Sequence, residues 1–346
     1  MSELIDFLNS KEVSLSSDQK SVLSRSEKST LVIPLLHQRI VSIKGEDTEK
    51  FLQGQLTCDL KAVFNRGSSL GAHCNIKGHM ISLFRLLKIS DDEIWMRMNH
   101  DICDTSLSNL KKYIVFSKAE ATEISDQISG IGISGPGSQT LVERLFEQSP
   151  SEDNGVLKLS NGIVVRVPGD RFEIWMQTSD LVDLIAKLPD EVDLGSTDQW
   201  ILSEIDAGIP DLREATQESF IPQMTNFQAL EGVSFTKGCY TGQEIVTRLQ
   251  HRGVLKKPMY LAEVSCDIAP QPGQKIQTQA SSSAGEVVLS APCNEDSSRY
   301  RFLAVINKKA ADEDTLALAN TDSQIEILEL PYKLDPELFQ RKDRTV

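Results

Sequence analysis

The sequence predicts an α+β fold, with two related α+β units in tandem and a small antiparallel β-barrel at the C-terminal end. Three observations support this prediction: an internal repeat, strand and helix patterns that mix within each copy of the repeat, and a run of short strand patterns after Lys257-Pro258. The length of 346 residues agrees with several domains, because single hydrophobic cores stop growing at about 250–300 residues.

The repeat is visible in two pairs of segments. Ser42–Gly45 is followed by Phe51-Leu52 at the same interval that separates Gly132–Gly135 from Leu141-Val142. The tetrapeptide Glu-Ile-Trp-Met also occurs twice, at 93–96 and 173–176. Two related units of about 80–90 residues are therefore expected.

The first unit mixes strands with helices. Arg39–Ile43 alternates as a strand does, whereas Phe51, Leu52 and Leu56 share one helical face behind an Asp47 cap. Its further strands are predicted at Ser69–Cys74, Met80–Ile89 and Glu93–Met98, and its second helix around Ile102–Ile114.

The second unit repeats this mixture, which favours an α+β class over a doubly wound sheet. A third helix, Asp198–Ala207, is expected to end at Gly208 because Pro210 follows. The other predicted helices are Gln139–Phe146 and Asp180–Leu188, and the predicted strands lie near Val156–Val167 and Phe172–Met176.

Short alternating runs separated by Gly, Pro, Asn and Asp predict the barrel. Its strands are expected at Met259–Val264, Lys275–Thr278, Gly285–Leu289, Tyr300–Ile306, Leu316–Ala319 and Gln324–Leu330. The predicted organisation is a mobile segment at 1–30, units at 31–125 and 126–255, the barrel at 256–332 and a tail at 333–346.

The octapeptide Lys237–Glu244 has the composition of a site, with a thiol, a cation and two glycines before a helix start. The Thr241-x-x-Glu244 spacing fits a capping box, which places Cys239 just outside the helix N-terminus. The helix dipole and Lys237 would both favour the thiolate of Cys239. A nucleophile or soft ligand is one interpretation, and a small residue filling a tight turn is the other.

The octapeptide, extended upstream by Phe220–Asn226, resembles the signature of the YgfZ family, folate-binding relatives of the glycine-cleavage aminomethyltransferase. Further similarity runs from about residue 38 to the barrel. The resemblance implies an aminomethyltransferase-like arrangement of three domains around an opening that accepts tetrahydrofolate or a derivative.

The resemblance also implies which residues contact the folate. Trp200 can cover a pterin or aminobenzoyl plane, although a core tryptophan fits the same helix. Asp206 stands where relatives carry a longer Glu, and Gln38 where they can place a tryptophan. The expected folate contacts are Trp200, Asp206, Tyr240, Gln243, Glu244 and Arg252, and the expected thiol and its activator are Cys239 and Lys237.

Aminomethyltransferases carry acids in the segment that corresponds to Lys77–Leu83, whereas this chain has Ile81 and Ser82. Neither side chain can act as a carboxylate at neutral pH. The aminomethyl reaction is therefore not expected.

The resemblance implies a folate-binding accessory protein of the cytoplasm that supports iron–sulfur enzymes, tRNA methylthiolation and regulation of replication initiation. Iron–sulfur enzymes such as tRNA methylthiotransferases are the implied partners. Cys239 is soft enough to contact iron or sulfur and nucleophilic enough to form a persulfide or mixed disulfide. Two alternatives stay open: a folate-dependent one-carbon transferase on an unknown substrate, and a noncatalytic folate-sensing regulator.

Composition disfavours some classes of function. The net charge of −14 opposes direct nucleic-acid binding, whose affinity depends on cations that neutralise phosphates. The basic segment Arg248–Lys257 is either a solvated helix end or a contact for an anionic ligand tail. His73, Cys74 and His79 do not complete a metal set, and the six scattered cysteines suit a reducing cytosol. No signal peptide or membrane span is expected.

Overall fold

Helices and strands mix along the chain of the computed structural model, which describes residues 1–294, 296–321 and 323–340. The α-helices of these residues are α1 (Ser2–Ser10), α2 (Thr48–Gln55), α3 (Leu60–Arg66), α4 (His100–Ile114), α5 (Ser138–Phe146), α6 (Thr178–Ala186), α7 (Thr197–Asp206), α8 (Gln243–Arg252) and α9 (Lys308–Glu313). Short 3₁₀ turns span Glu214–Thr216, Pro222–Thr225 and Pro336–Phe339.

The strands of the described residues are β1 (Leu31–Pro34), β2 (Gln38–Lys44), β3 (Ser68–Cys74), β4 (Met80–Lys88), β5 (Glu93–Asn99), β6 (Glu120–Glu123), β7 (Ile128–Ser134), β8 (Val156–Lys158), β9 (Gly162–Val167), β10 (Arg171–Gln177), β11 (Asp193–Leu194), β12 (Met259–Ser265), β13 (Lys275–Gln277), β14 (Gly285–Pro292), β15 (Arg299–Ile306), β16 (Ala317–Leu318) and β17 (Ile325–Leu328). None of the helices among the described residues is long and apolar enough to cross a membrane.

The strands form three sheets, with the orders β3-β4-β5-β2-β6, β11-β1-β7-β10-β9-β8 and β16-β13-β14-β15-β12-β17. Nearly all neighbouring strands whose pairing is resolved run antiparallel, and β1 with β11 is a parallel pair. Separate antiparallel sheets mixed with helices confirm the predicted α+β class.

The chain divides into two compact units. The first contains Met1–Phe51, Leu60–Ser69 and Phe84–Ser203, and the second contains Leu52–Asp59, Leu70–Leu83 and the chain from Glu204 onward. The domain boundaries given above stay predictions.

The internal repeat is confirmed in the structure of the first unit. In both copies a strand (β2, β7) ends at a glycine with positive φ, 142° at Gly45 and 102° at Gly135, and a helix follows. In both copies the tryptophan of the Glu-Ile-Trp-Met segment donates its indole N–H to the glutamate two residues earlier, at 2.9 Å. The sheets that contain β2 and β7 therefore share the same local arrangement at these positions.

The sheet of each repeat also includes a strand that the repeat pattern did not predict. β1 lies before the first copy in sequence but pairs with β7 of the second copy, whereas β6 pairs with β2 of the first. Pairing between distant segments leaves no mark in local periodicity, which explains why these positions were not predicted.

The third sheet provides the predicted barrel. An isolated bridge pairs Ala317 of one edge strand, β16, with Gln324, the residue before the other edge strand, β17. Its interior is apolar, with Phe302, Ala304 and Ile306 of β15 fully buried.

Both ends of the chain pack more closely than predicted, and Asp47 has an additional partner. Residues 1–30 were predicted to be mobile, but Leu4 and Leu8 on α1 pack with Val22 into the core of the first unit. Asp47 precedes α2, and one of its carboxylate oxygens accepts the backbone N–H of Lys118; its role as a cap of α2 stays a prediction. Within the predicted tail, Leu338 is buried and its carbonyl accepts the Leu255 N–H, and residues 341–346 lie outside the described part of the chain.

Candidate functional site

The second unit holds the octapeptide, and α8 begins directly after Gly242. Gly242 has φ +83° and is the N-cap residue, a conformation that favours glycine. The predicted capping box is wrong, because no side chain caps α8 and the Thr241 hydroxyl lies 3.4 Å from the Gln55 side-chain oxygen. A left-handed N-cap turns the chain so that Thr241 no longer faces the first turn.

A second glycine faces this turn. A Cβ at Gly242 would meet the Asn75 carbonyl and the Cα of Gly78, and a Cβ at Gly78 would meet Ile245. Gly78 also has a positive φ, +76°. The loop between β3 and β4 therefore packs closely on the start of α8, and both glycines are needed for that approach.

The upstream half of the signature fastens α8 to the barrel strand β12. The Gln223 side chain donates to the Val246 carbonyl at 2.6 Å. The Asn226 amide donates to the Met259 carbonyl and accepts the Met259 N–H. Both side chains are fully buried, so the helix has a fixed base.

The octapeptide itself is anchored by the short segment that follows α2. Thr57 donates its hydroxyl to the Gly232 carbonyl, and its own carbonyl accepts the Ser234 N–H. The Lys237 ammonium donates to the carbonyls of Leu56 at 2.8 Å and Cys58 at 2.7 Å.

Lys237 is a buried cation, 9% exposed. Burial lowers its pKa from 10.5 to about 8. Its ammonium also lies 5.3 Å from the centre of the Tyr240 ring. The lysine predicted to activate Cys239 therefore binds two backbone carbonyls and an aromatic ring.

Cys239 is exposed, in contrast to the other cysteines. Cys58, Cys74 and Cys103 are buried, and burial raises the pKa of each thiol to about 12. A Cβ on the neighbouring Gly238 would meet no atom within 4 Å. The thiol is thus presented at an open surface, two residues from a buried anchor.

The remaining predicted contacts in and after the octapeptide differ in exposure. Tyr240 is 6% exposed, its hydroxyl has no partner among the described residues, and burial raises its pKa. Gln243 is half-buried, whereas Glu244 and Arg252 are exposed at opposite ends of α8. Arg248 and Lys256 of the basic segment are also exposed.

Asp206 ends α7, and 43% of its side chain is exposed. One carboxylate oxygen accepts the Arg301 guanidinium at 2.7 Å, and Arg301 also pairs with Glu263 at 3.3 Å. The carboxylate is accessible, but a cation already occupies one of its oxygens.

Trp200 lies in the first unit and is 1% exposed. Its indole packs against Gly132, where a Cβ would clash with the ring. The Arg171 guanidinium lies 4.7 Å from the ring centre. This burial favours the core alternative for Trp200.

Three positions that depart from the family pattern, Ile81, Ser82 and Gln38, are buried, whereas Asp206 is partly exposed. Ile81 is 6% exposed and Ser82 is fully buried. The Ser82 hydroxyl and both polar atoms of the Gln38 amide have no hydrogen-bond partner within the described residues.

Tetrahydrofolate is the cofactor implied above, and its fit can be judged from these atoms. Buried polar atoms normally find a partner, so the Tyr240 and Ser82 hydroxyls of the second unit suit a ligand that both donates and accepts hydrogen bonds. The accessible carboxylate of Asp206 suits the same kind of ligand. The buried indole of Trp200 does not offer a face for stacking.

Sequence reasoning missed the partners that hold the site. Leu56 and Cys58 contribute carbonyls, which have no sequence signal, and Arg301 is distant in sequence from Asp206. Gly78 was detectable, because Lys77-Gly78-His79 between two strand patterns indicates a turn with positive φ.

Comparison with known proteins places these features in a family. A family model described as the GCVT N-terminal domain matches residues 27–180. The chain is 34% identical over 301 residues to the tRNA-modifying protein YgfZ of Pectobacterium atrosepticum, which covers 85% of this chain and 89% of the relative. It is 32% identical over 317 residues to the protein of the same name from Yersinia enterocolitica. That alignment covers 90% of this chain and 96% of the relative.

A solved structure supports the fold. The glycine cleavage system aminomethyltransferase T from Bartonella henselae aligns with a TM-score of 0.64 at 12% identity, covering 91% of this chain and 88% of that one. At this identity the likeness establishes an aminomethyltransferase-like fold. Because the sequence match to the curated relatives extends over most of both chains, the chain belongs to the YgfZ family.

Proposed function

We propose that this protein is a folate-binding accessory protein for tRNA modification, and that it acts on the iron–sulfur enzymes that methylthiolate tRNA. The relatives in Pectobacterium and Yersinia are named tRNA-modifying proteins, which supports the wider part of the proposal. The observation that carries the finer part is the exposed thiol of Cys239 beside the buried anchor Lys237.

The geometry suits a thiol that makes transient contact with a client protein. The carbonyl partners of Lys237 hold the backbone, while Cys239 two residues later is exposed. A thiol sulfur is a soft ligand that suits iron and sulfur species, but one cysteine cannot hold a cluster alone. Exposure therefore favours contact with a client's cluster over storage of a resident one.

Folate would be held by the polar groups of the second unit. Asp206 offers an accessible carboxylate, Tyr240 offers a hydroxyl, and Arg252 offers a cation for an anionic tail, with Gln243 and Glu244 as further contacts. When bound, tetrahydrofolate supplies a reduced pterin able to carry a one-carbon unit. In this proposal Lys237 positions the thiol loop and Trp200 supports the core.

The test is rescue of tRNA methylthiolation in a strain that lacks its own relative of this protein. We expect Cys239→Ala to lose rescue, and Cys266→Ala, a half-buried cysteine of the same unit, to keep it. Folate binding is followed by fluorescence of the purified variants, where Asp206→Ala is expected to weaken binding and Cys239→Ala to leave it unchanged. Full rescue by Cys239→Ala would exclude the thiol mechanism.

A one-carbon transferase remains the second candidate only through the fold, since buried Ile81 and Ser82 occupy the positions of the family acids. Turnover of a folate-linked methylene group by the purified protein would support it. A folate-sensing regulator predicts a different pattern, in which Cys239→Ala rescues fully and Asp206→Ala does not.

A further inference from the structure

The C-terminal end of α4 exposes an unusual group of large apolar side chains. Tyr113 is 45% exposed, Val115 69% and Phe116 91%, while Ile114 between them is buried at 7%. Such side chains normally lie inside a protein, and contiguous exposed ones often mark an interaction site. We refer to residues 111–118 as the α4-end patch.

The backbone of the α4-end patch is held in place. The Ser117 N–H donates to the Ile114 carbonyl at 2.8 Å, and the Lys118 N–H donates to the Asp47 carboxylate at 2.8 Å. Ile114 fixes the last turn of the helix in the core. The backbone that carries the aromatic and aliphatic groups is therefore already ordered, which lowers the entropy cost of binding.

Lysines flank these apolar groups in the sequence. Lys111 and Lys112 are exposed, and the Lys112 ammonium donates to the neutral amide of Asn109 at 3.0 Å. Lys118 pairs with Glu46 at 2.9 Å. Glu46 thus balances Lys118, and Lys111 and Lys112 supply the positive charge of the patch on a chain whose net charge is −14.

We propose that the α4-end patch is a docking surface for a partner protein segment that carries carboxylates beside large apolar side chains. Phe116 and Val115 provide the apolar anchor, since exposed aromatic groups contribute most of the affinity in many interfaces. Lys111 and Lys112 attract and orient the partner's carboxylates. This inference goes beyond the proposed function and does not involve Cys239.

A protein segment fits this surface better than RNA does. An RNA backbone extends past a small patch and would meet the acidic remainder of the chain. Val115 has no flat face for a base, and the carboxylate of Glu46 already neutralises Lys118. A short acidic and apolar segment can contact the patch alone.

The experiment places a photo-crosslinking amino acid, p-benzoylphenylalanine, at position 116 of the full chain in living cells. A matched control places it at Ile268, which is 79% exposed on the other unit. The crosslinked species is digested and identified by mass. We expect a peptide rich in Asp or Glu and apolar residues from position 116 and not from position 268.

Two variants test the chemistry of that contact with a labelled peptide of the crosslinked sequence. Phe116→Ser and the double change Lys111→Glu/Lys112→Glu should each weaken binding roughly tenfold or more. Thermal melting should stay unchanged for Phe116→Ser, whose side chain is exposed, and fall by only a few degrees for the double change, because acids at the C-terminal turn of α4 oppose the helix dipole. Reversing an acid of the peptide to Lys should restore binding to the charge-reversed chain. The crosslink should persist in Cys239→Ala.

Three results would overturn the proposal. These are a crosslink to RNA, no crosslink specific to position 116, or peptide binding that charge reversal leaves unchanged. Loss of rescue by Cys239→Ala with an intact crosslink would separate this surface from the thiol site.

Discussion

At the scale of single residues, Lys237 links the stability of the octapeptide to its chemistry. Its ammonium satisfies two buried carbonyls, those of Leu56 and Cys58. Replacing it with Met leaves both acceptors without a donor, and we expect the free energy of unfolding to fall by about 2–4 kcal/mol. Urea unfolding measures this loss, and Lys77→Met, an exposed lysine of the same unit, should change stability by less than about 0.5 kcal/mol.

The same residue predicts a pH dependence with a definite sign. Because burial lowers the pKa of Lys237 from 10.5 to about 8, the unfolded chain binds more protons than the folded one between these values. Stability relative to Lys237→Met should therefore rise as pH increases from 8 to 10.5, while the neutral amine still donates two hydrogen bonds. The raised pKa of Cys58 affects both proteins and largely cancels. If the wild-type chain and Lys237→Met differ in free energy of unfolding by the same amount throughout this pH range, the lowered pKa of Lys237 is contradicted.

At the scale of elements, two variants at the start of α8 distinguish the contribution of backbone geometry to stability from that of side-chain capping. Gly242→Ala forces a side chain into a left-handed position against the Asn75 carbonyl, and we expect a loss of about 1–3 kcal/mol. Thr241→Ala should cost less than about 0.5 kcal/mol, because no side chain caps the helix. If Thr241→Ala instead lowers the free energy of unfolding by about 1 kcal/mol, the typical value for a cap, the capping-box prediction would be supported.

The duplicated Glu-Ile-Trp-Met segment offers a matched comparison. Glu173 is fully buried and forms two hydrogen bonds to Arg97, at 2.6 and 3.2 Å. Glu93 is partly exposed and pairs with Lys44, a surface cation. Glu173→Gln should cost about 3–5 kcal/mol, because it removes the buried carboxylate charge that pairs with the Arg97 guanidinium. Glu93→Gln should cost about 1 kcal/mol or less.

Lowering the pH should reduce the difference in free energy of unfolding between the wild-type chain and Glu173→Gln. Burial favours the neutral carboxyl, but the Arg97 guanidinium holds the pKa of Glu173 below its ordinary value. The stabilisation is therefore present above the unfolded pKa and is lost as pH falls through the folded one. Equal losses in both glutamate variants at neutral pH would contradict the buried-pair assignment.

The same elements show how far sequence reasoning reaches. The repeat was predictable because Glu-Ile-Trp-Met recurs in a fixed frame, and the barrel because its strands are short and local. The pairing of β1 with β7 was not predictable, because the two strands lie about a hundred residues apart in the sequence. α1 was detectable in retrospect, since Leu4 and Leu8 share one helical face.

At the scale of the whole molecule, sequence similarity established the family, whereas the site's supports came from the fold. The sequence favours Lys237 as an activator because it lies two residues from Cys239. The structure instead directs its ammonium to backbone carbonyls, which no residue pattern encodes. Trp200 illustrates the converse, because its helix pattern already allowed the buried position that the structure shows.

The distribution of cysteines over the molecule gives a final test of the exposed thiol. Thiol labelling requires access to the sulfur, and buried groups react only when the structure opens. Native protein treated with a disulfide reagent should show one fast reaction, at Cys239. Cys266 and Cys293, both half-buried, should react more slowly, because burial raises the pKa of both thiols. Cys58, Cys74 and Cys103 should react only on unfolding. Cys239→Ser should remove the fast reaction and Cys266→Ser should retain it; a fast reaction that survives Cys239→Ser would mean that another thiol is the accessible one.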